Sequence, residues 1–122
     1  MTPLQAHLAR VAAWAVLGLV VALPLLRRGP ADRFARQCGI QLAAWGAVNL
    51  ALVAAGWRGD APAAWFLWLN VGLDVGYSAV GATLLLCGRH FRVPGLVGAG
   101  VGVLPQGIVL ALLDLWFLRV AY

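Results

Sequence analysis

Apolar residues run along this chain in four long blocks, about residues 8 to 26, 34 to 56, 64 to 87 and 96 to 118, separated by short polar breaks. Each block is long enough to cross the ~30 Å hydrocarbon core of a bilayer as an α-helix. Little chain is left for anything else. The pattern therefore predicts one transmembrane domain over residues 1–122, an all-α bundle of four transmembrane helices arranged as two hairpins with short loops.

Composition agrees with the pattern. The chain is 63% hydrophobic and 11% charged, with mean hydropathy +0.90, values outside the usual mix of soluble domains. Membrane lipids are thus the first partners the sequence implies. The net charge of +5 does not point to nucleic acid, because the arginines lie in the breaks between spans, where they set orientation. Arg27, Arg28, Arg33 and Arg36 sit in the first break and Arg89 and Arg92 in the third, against Arg10, Arg58 and Arg119 on the other side. That asymmetry predicts a multi-pass protein of the cell (inner) membrane with both hairpin loops in the cytoplasm and both termini outside it. Trp57, Trp65, Trp68 and Trp116 fall near span ends on the predicted outer side, where amphipathic rings anchor at headgroups. The first apolar run ends in LPLLRRGP, which lacks the small-residue site of a cleaved signal peptide.

Polar residues inside the spans carry the functional signal. NVGLDVGYS, residues 70 to 78, places Asp74 near the midplane, with Asn70, Tyr77 and Ser78 on the same helical face. The second span adds Gln41, Trp45 and Asn49, and the fourth adds Gln106 and Asp114. Counting inward from the outer ends, Asn49 matches Asn70 in depth and Gln106 matches Asp74, while Asp114 lies shallower. The second, third and fourth spans are therefore expected to build an outer-half pocket from Asn49, Asn70, Asp74, Tyr77, Gln106 and Asp114. A carboxylate at mid-span costs roughly 2.5–3.5 kcal/mol on insertion scales, so Asp74 must face protein, water or a partner rather than lipid. A protonated Asp74 would donate to an amide carbonyl; a bound cation would keep it and Asp114 ionised, with amide oxygens completing a hard-ligand set. Asp114 has a further option in interfacial water or Arg119. The amides have a simpler use as hydrogen-bonding glue between helices.

Small residues indicate close packing without fixing its partners. Gly72 and Gly76 form a small-x-x-x-small pair on the third span, Ala43, Ala47, Ala51 and Ala55 repeat on the second, and Gly98 and Gly102 on the fourth. These surfaces suit helix contacts within the bundle or in a homo-oligomer. Pro105, after a glycine-rich stretch, predicts a kink in the fourth helix.

Other chemistry finds little footing. Cys87 and His90 have C-x-x-H spacing and Cys38 lies at a similar depth, yet three candidate ligands fall short of a structural zinc set. His7 and His90 lie toward opposite membrane faces, which opposes paired haem ligation. GLVGAGVG is interior to an apolar span and is no nucleotide loop. No serine, histidine and acid set offers a hydrolytic triad. No metal site and no cofactor is expected.

Through NVGLDVGYSAVGATLL, AAWGAVNLAL and LPQGIVLALLD, the last three spans resemble small, uncharacterised four-span bacterial membrane proteins. The resemblance implies an integral membrane bundle and points to Asn49, Asn70, Asp74, Tyr77, Gln106 and Asp114, without an activity to carry over. Three functional readings follow. The first is a transporter-like protein that binds or moves a proton, cation or small solute at Asp74. The second is a non-enzymatic assembly protein that receives a lipid or partner helix. The third is an intramembrane enzyme on a lipid-soluble substrate with Asp74 and Asp114 as acid and base, disfavoured by the lack of a nucleophile or cofactor motif.

Overall fold

The computed structural model describes residues Met1–Tyr122. It consists of four α-helices, α1 (Pro3–Arg28), α2 (Arg33–Gly56), α3 (Ala64–Phe91) and α4 (Pro94–Ala121), with no strand. All four are long and apolar enough to cross a membrane, which makes the chain a multi-pass membrane protein. α1 pairs with α2 and α3 with α4 as two antiparallel hairpins.

Local signals set the helix ends. α1 begins ahead of its apolar run because TPLQ forms a capping box: the Thr2 hydroxyl accepts from the Gln5 N–H at 3.1 Å, and the Gln5 side chain accepts from the Thr2 N–H at 3.2 Å. Pro3 occupies the first turn, where its missing N–H is not needed. Asp32 caps α2 by accepting from the Ala35 N–H at 3.1 Å. α3 ends where Arg92 turns left-handed at φ 56°, and Pro94 opens α4.

α4 is the spine of the bundle, and its glycines explain why. A Cβ at Gly100 would stand 2.6 Å from the Leu85 backbone nitrogen, and one at Gly107 2.5 Å from the Asp74 carbonyl oxygen, so this side of α4 lies backbone to backbone on α3. On the other side, Gly98 meets the Phe34 backbone and a Cβ at Gly102 would stand 2.7 Å from Gln41 Cβ, both on α2. α4 thus grips a neighbour on two faces. It stays helical through Pro105.

The sequence repeats of small residues do not all serve this packing. Ala47, Ala51 and Ala55 face outward, and α2 instead buries Ala35, Cys38, Gly39, Leu42, Gly46, Asn49 and Val53. A Cβ at Gly72 or Gly76 would meet nothing within 4 Å. The glycines of α3 that pack are Gly81 and Gly88, against Leu104 and Val97 of α4.

A seam separates the hairpins. No Cα of α3 comes within 8 Å of a Cα of α1 or α2 in the packing of the helices, although α2 and α3 are consecutive in sequence. Side chains bridge the gap at two levels. At the end that carries Trp57, Trp65, Trp68 and Trp116, all exposed, Leu4 of α1 packs with Leu67 and Val71 of α3 and Phe117 and Leu118 of α4. Toward the arginine-rich end, the rings of Trp45 and Tyr77 meet edge to face at 4.6 Å. The 57–63 connection spans the seam at the tryptophan end and is pinned there: Gln5 Nε2 donates to the Trp57 carbonyl at 3.3 Å, and the Tyr122 hydroxyl donates to the Pro62 carbonyl.

Candidate functional site

The space between these two bridges is a cleft of about 290 Å³ lined by all four helices. α3 supplies Asn70, Asp74 and Tyr77 along one face, at the spacing expected of neighbours on a helix. α2 supplies Asn49 and Trp45, α4 supplies Asp114, and α1 supplies His7. The remaining lining is aliphatic, including Val11, Val53 and Leu110, which pack together as a small core. By the common measure of ~30 Å³ per water, the cleft would hold roughly ten waters or one small solute.

Of the residues singled out from the sequence, Asn49, Asn70, Asp74, Tyr77 and Asp114 come together here. Gln106 does not. It is buried against α1, where Trp14 Nε1–H donates to its Oε1 at 2.9 Å, so its amide is occupied as an interhelical tie. Ser78 also turns away: its hydroxyl donates to the Asp74 carbonyl at 3.0 Å, within α3. Asp114 was expected to reach interfacial water or Arg119. Instead His7 Nε2 stands 3.2 Å from its Oδ1, while Arg119 lies with Trp68 and Tyr122 at the bundle surface.

His7 is the site residue the polar pattern of the last three spans does not reveal, and it corrects the expectation of a pocket built by those spans alone. A signal for it exists. The capping box starts the helix at Pro3, and from there His7, Val11, Ala15, Gly18 and Ala22 form one buried face. A histidine at the head of an otherwise small and aliphatic face is aimed into the bundle. Its ring stacks on Phe117 at 4.7 Å and 14°.

The cleft leaves polar groups unmatched. His7, Asn49 and Asp74 are only 6%, 3% and 6% exposed, yet His7 Nδ1 and Asn49 Nδ2 have no hydrogen-bond partner in the chain, and Asp74 Oδ2 has none apart from the neighbouring Asp114 carboxyl. Such groups are rare in folded proteins, since each costs about 1–3 kcal/mol when left bare. The carboxyls of Asp74 and Asp114 are neighbours across the α3–α4 contact. No arginine lines the space; Arg10 of α1 lies over the Trp116 ring at 3.8 Å. The acids and histidine do not converge as a three-ligand metal set.

The cysteines lie elsewhere. Cys38 is buried with Ala22 and Leu42, Cys87 is half-buried, and His90 is exposed with its ring edge-on to Phe91. Small apolar packing accounts for Cys38.

Comparison with known proteins adds one similarity. No curated protein and no solved structure matches the chain. Residues 61–115, spanning α3 and most of α4 and therefore Asn70, Asp74, Tyr77, Gln106 and Asp114 but neither His7 nor Asn49, are similar to a family of unknown function (DUF6992).

Proposed function

We propose that this protein binds a proton, a cation or a small cationic solute in the cleft between its hairpins, and that moving it across the membrane is its activity. The observation that supports this reading is that His7, Asn49 and Asp74, each with a buried polar atom short of a partner, line one cleft together with the carboxyl of Asp114. Neighbouring carboxyls in a low-dielectric setting interact favourably with a proton or positive charge placed between them. An occupant that donates to Asp74 Oδ2 also removes part of the desolvation cost of the bare groups. Intramembrane acids with this placement commonly mark ion or substrate pathways.

A structural role suits Gln106 better. Its hydrogen bond to Trp14 joins α1 to α4, and it does not line the cleft, as suits interhelical glue.

The test is flux in proteoliposomes that enclose a pH dye, with the membrane potential clamped and a proton or monovalent-cation gradient imposed. Wild-type protein is expected to dissipate the gradient at least tenfold faster than Asp74→Asn, with both proteins eluting as the same folded species. Labelling of Asp74 by a lipid-soluble carbodiimide is expected to slow in the presence of the bound cation. Equal flux in a folded Asp74→Asn protein, with labelling indifferent to every cation tried, rejects the reading.

A further inference from the structure

The direction in which the cleft opens narrows the class of its occupant. Toward the arginine-rich end the Trp45–Tyr77 contact closes it. Toward the tryptophan end the Leu4, Leu67, Val71, Phe117 and Leu118 cluster lies one turn beyond His7 and Asp114, and the 57–63 connection spans the seam. What remains open is the side. Val48 and Leu52 of α2 and Leu73 of α3 line the cleft and are also 50%, 62% and 47% exposed. They form an apolar lip on the seam, on surfaces that face hydrocarbon in a membrane-spanning bundle. The polar groups lie behind this lip.

The polar groups select the head of the occupant. Asp74 Oδ2 is an acceptor with no partner in the chain apart from the neighbouring Asp114 carboxyl. When His7 Nε2–H donates to Asp114, Nδ1 of the same ring carries a lone pair and is a second acceptor. With two carboxyls and no arginine in the lining, an anionic head finds no guanidinium to pair with. A primary ammonium supplies three donors and one positive charge. Trp45 and Tyr77, of the ring type that attracts cations, line the same cleft.

We propose that the occupant of this cleft is an amphiphile with a protonated amine head, taken sideways from the lipid phase through the α2–α3 seam. The head binds at Asp74, Asp114 and His7, and the apolar tail lies along Val48, Leu52 and Leu73. This rests on the reading of the cleft as a cation site and adds the route and the tail.

The experiment uses the full chain in lipid nanodiscs and a long-chain alkylamine that carries a diazirine in its tail. Irradiation is expected to label peptides containing Val48, Leu52 or Leu73. Asp74→Asn is expected to lower that labelling at least tenfold, and dodecylamine is expected to compete at least tenfold better than dodecanol at equal mole fraction in the membrane. Dodecanoate is expected not to compete. Leu73→Trp, at the half-exposed lip, is expected to reduce labelling by the long probe while protection of Asp74 from carbodiimide by ethylammonium persists in the variant that elutes as the same folded species. If ethylammonium competes as well as dodecylamine and Leu73→Trp changes nothing, the lateral route and the tail are overturned while the cation site stands. Equal competition by dodecanol overturns the amine head. Labelling spread evenly over the exposed helix faces and indifferent to Asp74→Asn overturns the proposal; if ethylammonium then also fails to protect Asp74, the cation site falls with it.

Discussion

His7 and Asp114 come from opposite ends of the sequence and meet inside the bundle, with Nε2 of one 3.2 Å from Oδ1 of the other. The contact joins α1 to α4 near the tryptophan end, and the Phe117 ring against His7 holds the imidazole in place.

Loss of either partner leaves the other polar group buried without its contact. His7→Leu and Asp114→Leu are each expected to lower stability by about 1–3 kcal/mol. The double variant is expected to lose less than the sum, with a coupling of at least about 0.5 kcal/mol. Unfolding in mixed detergent micelles measures all four corners of the cycle; strictly additive losses would show that the contact contributes nothing.

Trp14 and Gln106 form the second tie between these helices. Trp14→Phe keeps an aromatic ring and removes the donor, so it is expected to destabilise by about 0.6 kcal/mol, the average for hydrogen bonds between membrane helices, and by no more than about 1.7 kcal/mol. Activity at the cleft is expected to survive in the folded variant, because Gln106 does not line it. Loss of flux at full stability would place Gln106 back in the site.

Glycines of α4 that face α3 and glycines on the far side of α3 are expected to respond oppositely to alanine. Gly100→Ala and Gly107→Ala push a methyl group into the α3 backbone and are expected to cost about 1–3 kcal/mol each. Gly72→Ala and Gly76→Ala meet open space and are expected to leave stability unchanged or slightly raised. Unfolding midpoints decide this. A large loss at Gly76, accompanied by loss of a dimer on gel filtration, would show that a second copy uses that face.

The six-to-three arginine asymmetry predicts that both hairpin loops face the cytoplasm. In a variant lacking Cys38 and Cys87, Ala31→Cys is expected to resist a membrane-impermeant thiol reagent applied to intact cells, and Gly59→Cys to react. The reverse labelling would invert the topology.

The helices and their pairing were legible because lipid makes a demand that sequence records directly: an uninterrupted apolar run of span length. Depth counting set Asn49 level with Asn70 and Asp114 shallower than Asp74, and helical spacing set Tyr77 on the Asp74 face; all five line the cleft. Depth counting failed for Gln106 because depth says nothing about rotation, and Gln106 is turned toward Trp14 of α1. His7 lay outside the apolar run; only the capping box shows that its turn is already helical. The seam was not legible at all. It exists because α4 carries glycines toward both α2 and α3, and two helices drawn onto opposite sides of a third are thereby held apart from each other.

The same arrangement fastens α3 along one edge only. Its backbone is seated on α4, while its opposite edge touches the first hairpin through a few side chains and a seven-residue connection. A helix mounted in this way behaves as a door on a long jamb. An edge held by so few contacts is the one that costs least to part, which puts the least tightly packed side of the bundle beside Asp74.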